Sequence, residues 1–264
     1  MEIEKKEINY YSAGAQIRAY FAAPRGGSRL PGIVLIHDIF GLSDNLRDIA
    51  NRFASEGYAV IAPHLYSRPG NPSPEEIEKS MAFIMSIPPS EQRNQDFVKS
   101  KMADLPESER QMVQRTWSWM TNRSYSTNIE DLKAAFRWLS ENEAADRNRI
   151  GCLGFCMGGT LAGRLACSIR ELKASVIFYG ENPPPDKIAD IRCPVLGLYG
   201  GEDHRITDKV PELEKAMKAA GKSFEYKIYP GAHHAFFSSV AKSYNESAAK
   251  DSWNVVIGFL SQKL

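Results

Sequence analysis

Short apolar runs alternate along this chain with stretches whose apolar positions recur every three or four residues. IEKKEINYY and QIRAYFAAP read as two opening strands joined by the turn SAGA. GIVLIHD follows, and its four successive aliphatics, bounded by Pro31-Gly32 and by Phe40-Gly41, predict a strand buried on both faces. Ser43-Asp44 then caps NLRDIANRFASEG, where Leu46, Ile49, Ala50 and Phe53 fall at helical spacing and Gly57 marks the stop. YAVIAP, RIGCLGF, ASVIFYG, PVLGLYG and FEYKIYP are further short apolar runs, mostly followed by helix-period segments. This order predicts an α/β fold: a mostly parallel twisted sheet flanked by helices on both faces.

One stretch breaks the rhythm. From 68 to 126 no run reads as a strand, and helix-like pieces are separated by PGNPSP and IPPS. Such a length is far beyond an ordinary connection between sheet elements. It predicts a helical insertion inside a single 1–264 domain, either a cap over the sheet edge or an exposed decoration.

Composition narrows the picture only modestly. The 264 residues are 43% hydrophobic with a formal net charge of +1, which suits one sizeable core and gives no field to attract nucleic acid. No run approaches the ~18 apolar residues of a membrane span, and MEIEKKEINYY lacks the apolar segment of a secretion signal. Cys152, Cys156, Cys167 and Cys193 are too sparse for a disulfide scaffold, so a reducing cytoplasm is expected. The expected partner is a small molecule, with no nucleic acid, membrane or cofactor, and the protein is expected to be a monomer or a homodimer.

The segment GCLGFCMGGT concentrates the chemistry. RIGCLGF reads as a strand and Met157 through Ala166 as a helix, which puts Cys156 on the hinge between them. A strand turning into a helix at one residue strains that residue's backbone and projects its side chain outward. Only small neighbours two before and two after, here Gly154 and Gly158, escape collision; this is the nucleophile-elbow spacing, with cysteine in the place of serine. The helix N-terminus beyond it favours negative charge on a thiol or an oxyanion. An inert buried thiol accounts for Cys152, Cys167 and Cys193, but not for glycines arranged around Cys156.

Open parallel sheets carry their sites at the carboxyl ends of the strands. Two later strands end in polar residues: PVLGLYG runs into Gly201-Glu202-Asp203, and FEYKIYP into Gly231-Ala232-His233-His234. The order cysteine, acid, histidine is that of a hydrolase triad, in which Asp203 orients an imidazole that faces the sulfur. Asp203 could instead cap the following turn. A metal-assisted hydrolase using His37, Asp38, His204, His233 and His234 lacks any H-E-x-x-H or paired C-x-x-C spacing. A binding module that kept the fold without activity is opposed by the presence of all three triad residue types.

With these pieces in place, the sequence resembles the dienelactone hydrolase family, α/β-hydrolase enzymes with a cysteine nucleophile. The resemblance rests on VLIHDIFGL, the Pro-His-Leu-Tyr of IAPHLYSR, GFCMGG, GGEDHRI and YPGAHHAFF, which recur in family order. It implies hydrolysis of a lactone or carboxylic ester through a thioester. It also selects His234, which precedes Ala235-Phe236, over His233, and makes the backbone N–H groups of Met157 and Ile39 the oxyanion donors. The family carries a glutamate before Ile-Phe-Gly that takes part in activating the thiol; here that residue is Asp38, one methylene shorter. The family also grips a substrate carboxylate with an arginine and with a serine after the histidine. Here Ala235 removes the hydroxyl, and Arg68, Arg110 and Arg115, together with Tyr66, are the substrate-binding candidates that the resemblance offers.

Overall fold

The computed structural model describes residues 2–68, 70–88, 90–91, 94–122 and 125–264; positions 69, 89, 92, 93, 123 and 124 of the insertion stretch lie outside the described residues. The chain divides into two compact units, one of Met1–Leu65 with Ser126–Leu264 and one of Tyr66–Tyr125.

The larger unit is built on eight strands: β1 Ile3–Ser12, β2 Ala15–Pro24, β3 Leu30–Ile36, β4 Ala59–Pro63, β5 Ala145–Phe155, β6 Ser175–Phe178, β7 Val195–Gly200 and β8 Phe224–Tyr229. They form one sheet in the order β1-β2-β4-β3-β5-β6-β7-β8. β1 and β2 pair antiparallel, as do β2 and β4, and every later pairing is parallel. The central strands are buried end to end, which explains why they read as unbroken apolar runs rather than as alternation. β5 starts earlier than RIGCLGF suggests. The Leu30 N–H reaches the Ala144 carbonyl at 2.8 Å, and Leu30 pairs with Ala145 before a bulge restores the register at Gly32 and Ile150. Backbone pairing there overrides the polar side chains of Asp146 to Arg149.

Helices cover both faces. α1 (Asp44–Ser55) buries Leu46, Ile49, Ala50 and Phe53, the positions predicted from its period, and Ser43 accepts from the Leu46 N–H at 3.3 Å as its N-cap. The intervening helices are α2 (Pro74–Ser86), α3 (Gln95–Ala103), α4 (Glu107–Asn122) and α5 (Tyr125–Glu141). They are followed by α6 (Met157–Ala166), α7 (His204–Thr207), α8 (Val210–Ala219) and α9 (Glu246–Lys263). Phe53 of α1 and Val256, Phe259 and Leu260 of α9 share a core with Ile33, Leu35, Leu153 and Phe155. Cys152 points the other way: its thiol reaches the Ala162 carbonyl and the Ser175 hydroxyl. Strand alternation therefore puts α6 on the opposite face of the sheet.

Within Tyr66–Tyr125 the described residues form α2, α3 and α4 and no strand. α2 begins with a capping box in which the Ser73 hydroxyl and the Glu76 carboxylate each accept the other's backbone N–H. Arg115 of α4 pairs with Glu76, and the Trp119 indole donates to Asn71 at 3.0 Å while meeting Tyr66 edge-on at 4.9 Å. Among the described residues no helix is long and apolar enough to cross a membrane. The Ser43 cap gives a direct test of how α1 is started: Ser43→Ala should cost about 1 kcal/mol and Ser43→Gly only a few tenths, read from urea unfolding midpoints.

Candidate active site

The strand-to-helix hinge is built by close backbone packing. Cys156 has φ 55° and ψ −114°, a left-handed strain that cysteine rarely tolerates. Its N–H extends the ladder to the Phe178 carbonyl at 3.0 Å, and its carbonyl accepts the Thr160 N–H at 3.0 Å to start α6. A Cβ on Gly154 would lie 2.0 Å from the Gly158 carbonyl oxygen, and one on Gly158 would lie 2.3 Å from the Ile36 oxygen and 2.5 Å from that of His37. Both spacing glycines are thus demanded by backbone contact from β5 to α6 and from α6 to β3. The thiol of Cys156 is half-buried, and Met157 takes the first position of the helix.

Asp203 and His234 arrive from the ends of β7 and β8. The Asp203 residue precedes α7 but gives its N-terminus no side-chain bond. Its carboxylate is buried and accepts instead from His234 Nδ1 at 2.5 Å. Nδ1 thus faces the acid, which turns Nε2 the other way, and the Cys156 thiol lies close enough to act on the ring's pKa. Burial alone would lower the imidazole's proton affinity. The hydrogen bonds and charges of Asp203 and Cys156 outweigh it and raise the pKa to about 9. Burial raises Cys152 far beyond the ordinary thiol range, Cys167 to about 11 and Cys193 to about 12.

His233, the neighbour of His234, is exposed. His204 is exposed beside Asp208, and among the described residues no three His, Cys, Asp or Glu side chains group as a metal site would need. Asp38 sits at the end of the segment after β3. Its Oδ1 accepts from the Phe40 N–H at 2.8 Å, so its short carboxylate is tied back to its own turn. Burial raises its pKa, with the Phe40 bond and the charge of His234 acting against the rise. Ile39 occupies the first corner of that turn. Arg110 and Arg115 are ion-paired with Glu107 and Glu76 inside the helical unit, where Arg68 is half-buried and Tyr66 buried.

Sequence reasoning missed Tyr179. β6 pairs Phe178 with Phe155, so Tyr179 and Cys156 each follow the last residue of neighbouring strands. Tyr179 is 2% exposed with φ 38°, and its ring meets the His234 imidazole edge-on at 5.1 Å. Burial raises its pKa well above the ordinary phenol value, and the charges of Asp38 and Cys156 add to the rise. The phenol therefore stays protonated beside the thiol. Ala235 adds a third left-handed backbone, at φ 63°. A tyrosine in an apolar strand run, FYG, carries no signal of its own; only the register brings it to the site.

The raised imidazole has a consequence for stability. Its folded pKa of about 9 exceeds the ~6.5 of an unfolded histidine, so this contribution is full below pH ~6.5 and is lost as pH climbs through about 9. Unfolding midpoints of the wild type and of His234→Gln should therefore lie furthest apart near pH 6 and converge towards pH 9.5. A gap that widens with pH would contradict the assignment.

The model of the dienelactone hydrolase family matches residues 17–264. A Saccharolobus solfataricus protein that bears the name carboxymethylenebutenolidase provisionally is 39% identical over 260 residues, covering 97% of this chain and 98% of its own length. An Escherichia coli K12 protein with the same provisional name is 31% identical over 263 residues, covering 95% and 84%. A Klebsiella pneumoniae crystal structure assigned as a dienelactone hydrolase superposes with a TM-score of 0.78 at 29% identity, over 99% of this chain and 100% of that one. The fold is that of the α/β hydrolases, and the chain belongs to the dienelactone hydrolase family, a family of lactone and ester hydrolases.

Proposed function

We propose that this protein hydrolyses a small-molecule lactone or carboxylic ester through Cys156, His234 and Asp203, by way of a thioester. The observation that carries the reading is the 2.5 Å bond from the His234 imidazole to the Asp203 carboxylate, with the Cys156 thiol close enough to raise the imidazole's pKa. The sulfur attacks the carbonyl carbon as its proton passes to His234, and a C–S bond forms. The N–H groups of Met157 and Ile39 receive the charge that develops on the carbonyl oxygen. As the tetrahedral species collapses, the C–O bond breaks and His234 gives its proton to the departing oxygen. In a lactone that oxygen stays tethered to the acyl group. Water then attacks the thioester, His234 takes its proton, and the C–S bond breaks to free the acid.

A thioester must also be cleared, so the first step has to proceed easily. Esters and lactones whose leaving group is an enol satisfy that need better than plain alkyl esters. Asp38 supplies a half-buried carboxylate within electrostatic range of His234, which supports a role in tuning the proton held between sulfur and imidazole. The free state of all four cysteines suits the reducing cytoplasm that the composition suggests.

The test is turnover of a chromogenic enol lactone or aryl ester. Cys156→Ala and His234→Ala should each lose ~10³-fold or more, and iodoacetamide should silence the wild type. His233→Ala should retain most activity, and Asp38→Asn should shift the pH profile of the rate. Undiminished turnover by Cys156→Ala would remove the reading.

A further inference from the structure

We propose that His37 is the positioning residue of the oxyanion site: its imidazole aims the Ile39 N–H by holding the other end of the same peptide group. The inference rests on the cysteine-hydrolase reading above. His37 is 0% exposed, at the end of β3, and its ring joins two backbone segments. His37 Nδ1 lies 2.5 Å from the Asp38 carbonyl oxygen, and the Leu65 N–H lies 3.1 Å from His37 Nε2. An amide N–H can only donate and a carbonyl can only accept. Nε2 is therefore the bare nitrogen, and Nδ1 carries the proton given to Asp38. The ring is held as one neutral tautomer by its two partners.

The carbonyl of Asp38 and the N–H of Ile39 belong to one planar trans peptide, in which they point in opposite directions. Holding the oxygen towards His37 turns the Ile39 N–H away from it. Two further bonds brace the same turn. The Gly41 N–H reaches the Asp38 carbonyl at 3.4 Å, and the Phe40 N–H is held by the Asp38 carboxylate at 2.8 Å. The Gly41 contact is long and the Asp38 carboxylate is partly exposed, so the short bond from the buried imidazole is the firmest of the three. The turn is also fixed relative to α6, because Gly158 packs against the Ile36 and His37 carbonyls too closely to admit a Cβ. His37 thereby sets the angle between the Ile39 N–H and the N-terminus of α6, where Met157 lies. Polarising a carbonyl between two donors depends on that angle.

Three substitutions separate aiming from folding. His37→Asn keeps a donor near the place of Nδ1, His37→Gln can reach the Leu65 N–H but offers Asp38 no donor, and His37→Leu removes both bonds. Alkylation of Cys156 by iodoacetamide provides the control, since displacing iodide from a saturated carbon develops no oxyanion. For His37→Leu the expected result is a kcat lower by about 10²-fold, with KM and the alkylation rate within about threefold of wild type. His37→Asn should recover at least a tenth of wild-type kcat. A folded Leu variant with kcat within threefold of wild type overturns the proposal, as does one whose alkylation rate falls in step with kcat. If the Leu variant does not fold, the remaining pair decides: Asn at least tenfold more active than Gln supports the proposal, and equal rates overturn it. Failure of this inference alone leaves Cys156→Ala inactive, whereas an active Cys156→Ala protein removes the hydrolase reading and this inference together.

Discussion

The left-handed backbone at Cys156 is the constraint on which the site depends. A non-glycine residue held at φ 55° costs on the order of 1–3 kcal/mol and persists only where its surroundings leave no alternative. Here the surroundings are backbone on every side. The Cys156 N–H continues the β5–β6 ladder, the carbonyl starts α6, and the flanking glycines sit against carbonyl oxygens at distances that exclude any side chain. The strain is met by strand pairing and helix formation rather than by contacts of the thiol. That leaves the sulfur half-buried and available to an imidazole.

The same economy recurs around it. Tyr179 and Ala235 are also left-handed, and both border His234. The only other non-glycine residues with positive φ among the described residues are Ala13, in the turn before β2, and Arg29, directly before β3. Backbone strain therefore concentrates where β5, β6 and β8 end, which is where an open parallel sheet gathers its ligand site. Asp203 completes the arrangement from β7. Its carboxylate gives up the helix end beside it to hold the imidazole instead.

Much of this was legible from residue order. The glycine spacing around Cys156 reports a steric requirement, and steric requirements are written in residue type. The polar residues just past PVLGLYG and FEYKIYP could be placed because parallel strands end on one side. The α1 face was readable from its period, and its start from Ser43. What escaped is whatever depends on register or on the direction of a single side chain. Tyr179 comes to His234 from the end of β6, whose Phe178 pairs with Phe155, and no local pattern announces it. Asp38 fills the position of a family glutamate, yet its shorter carboxylate turns back to the Phe40 N–H. The resemblance offers Arg110 and Arg115 as substrate-binding candidates, and in the helical unit each pairs with a glutamate, Glu107 and Glu76, which no sequence pattern announces. β5 began before its apolar run because backbone bonds to β3 do not require apolar side chains.

During turnover one sulfur, that of Cys156, is expected to carry the acyl group. Acid-quenched samples from the first turnovers of an activated aryl ester, digested and weighed by mass spectrometry, read this directly. The leaving group of such an ester makes acylation of a thiol fast relative to hydrolysis of the thioester. The expected result is an acyl adduct approaching one per protein on the peptide that holds Cys152 and Cys156, which fragmentation places on Cys156, and none on the peptides of Cys167 and Cys193. A stable adduct on any other residue, with Cys156 unmodified throughout, would contradict it.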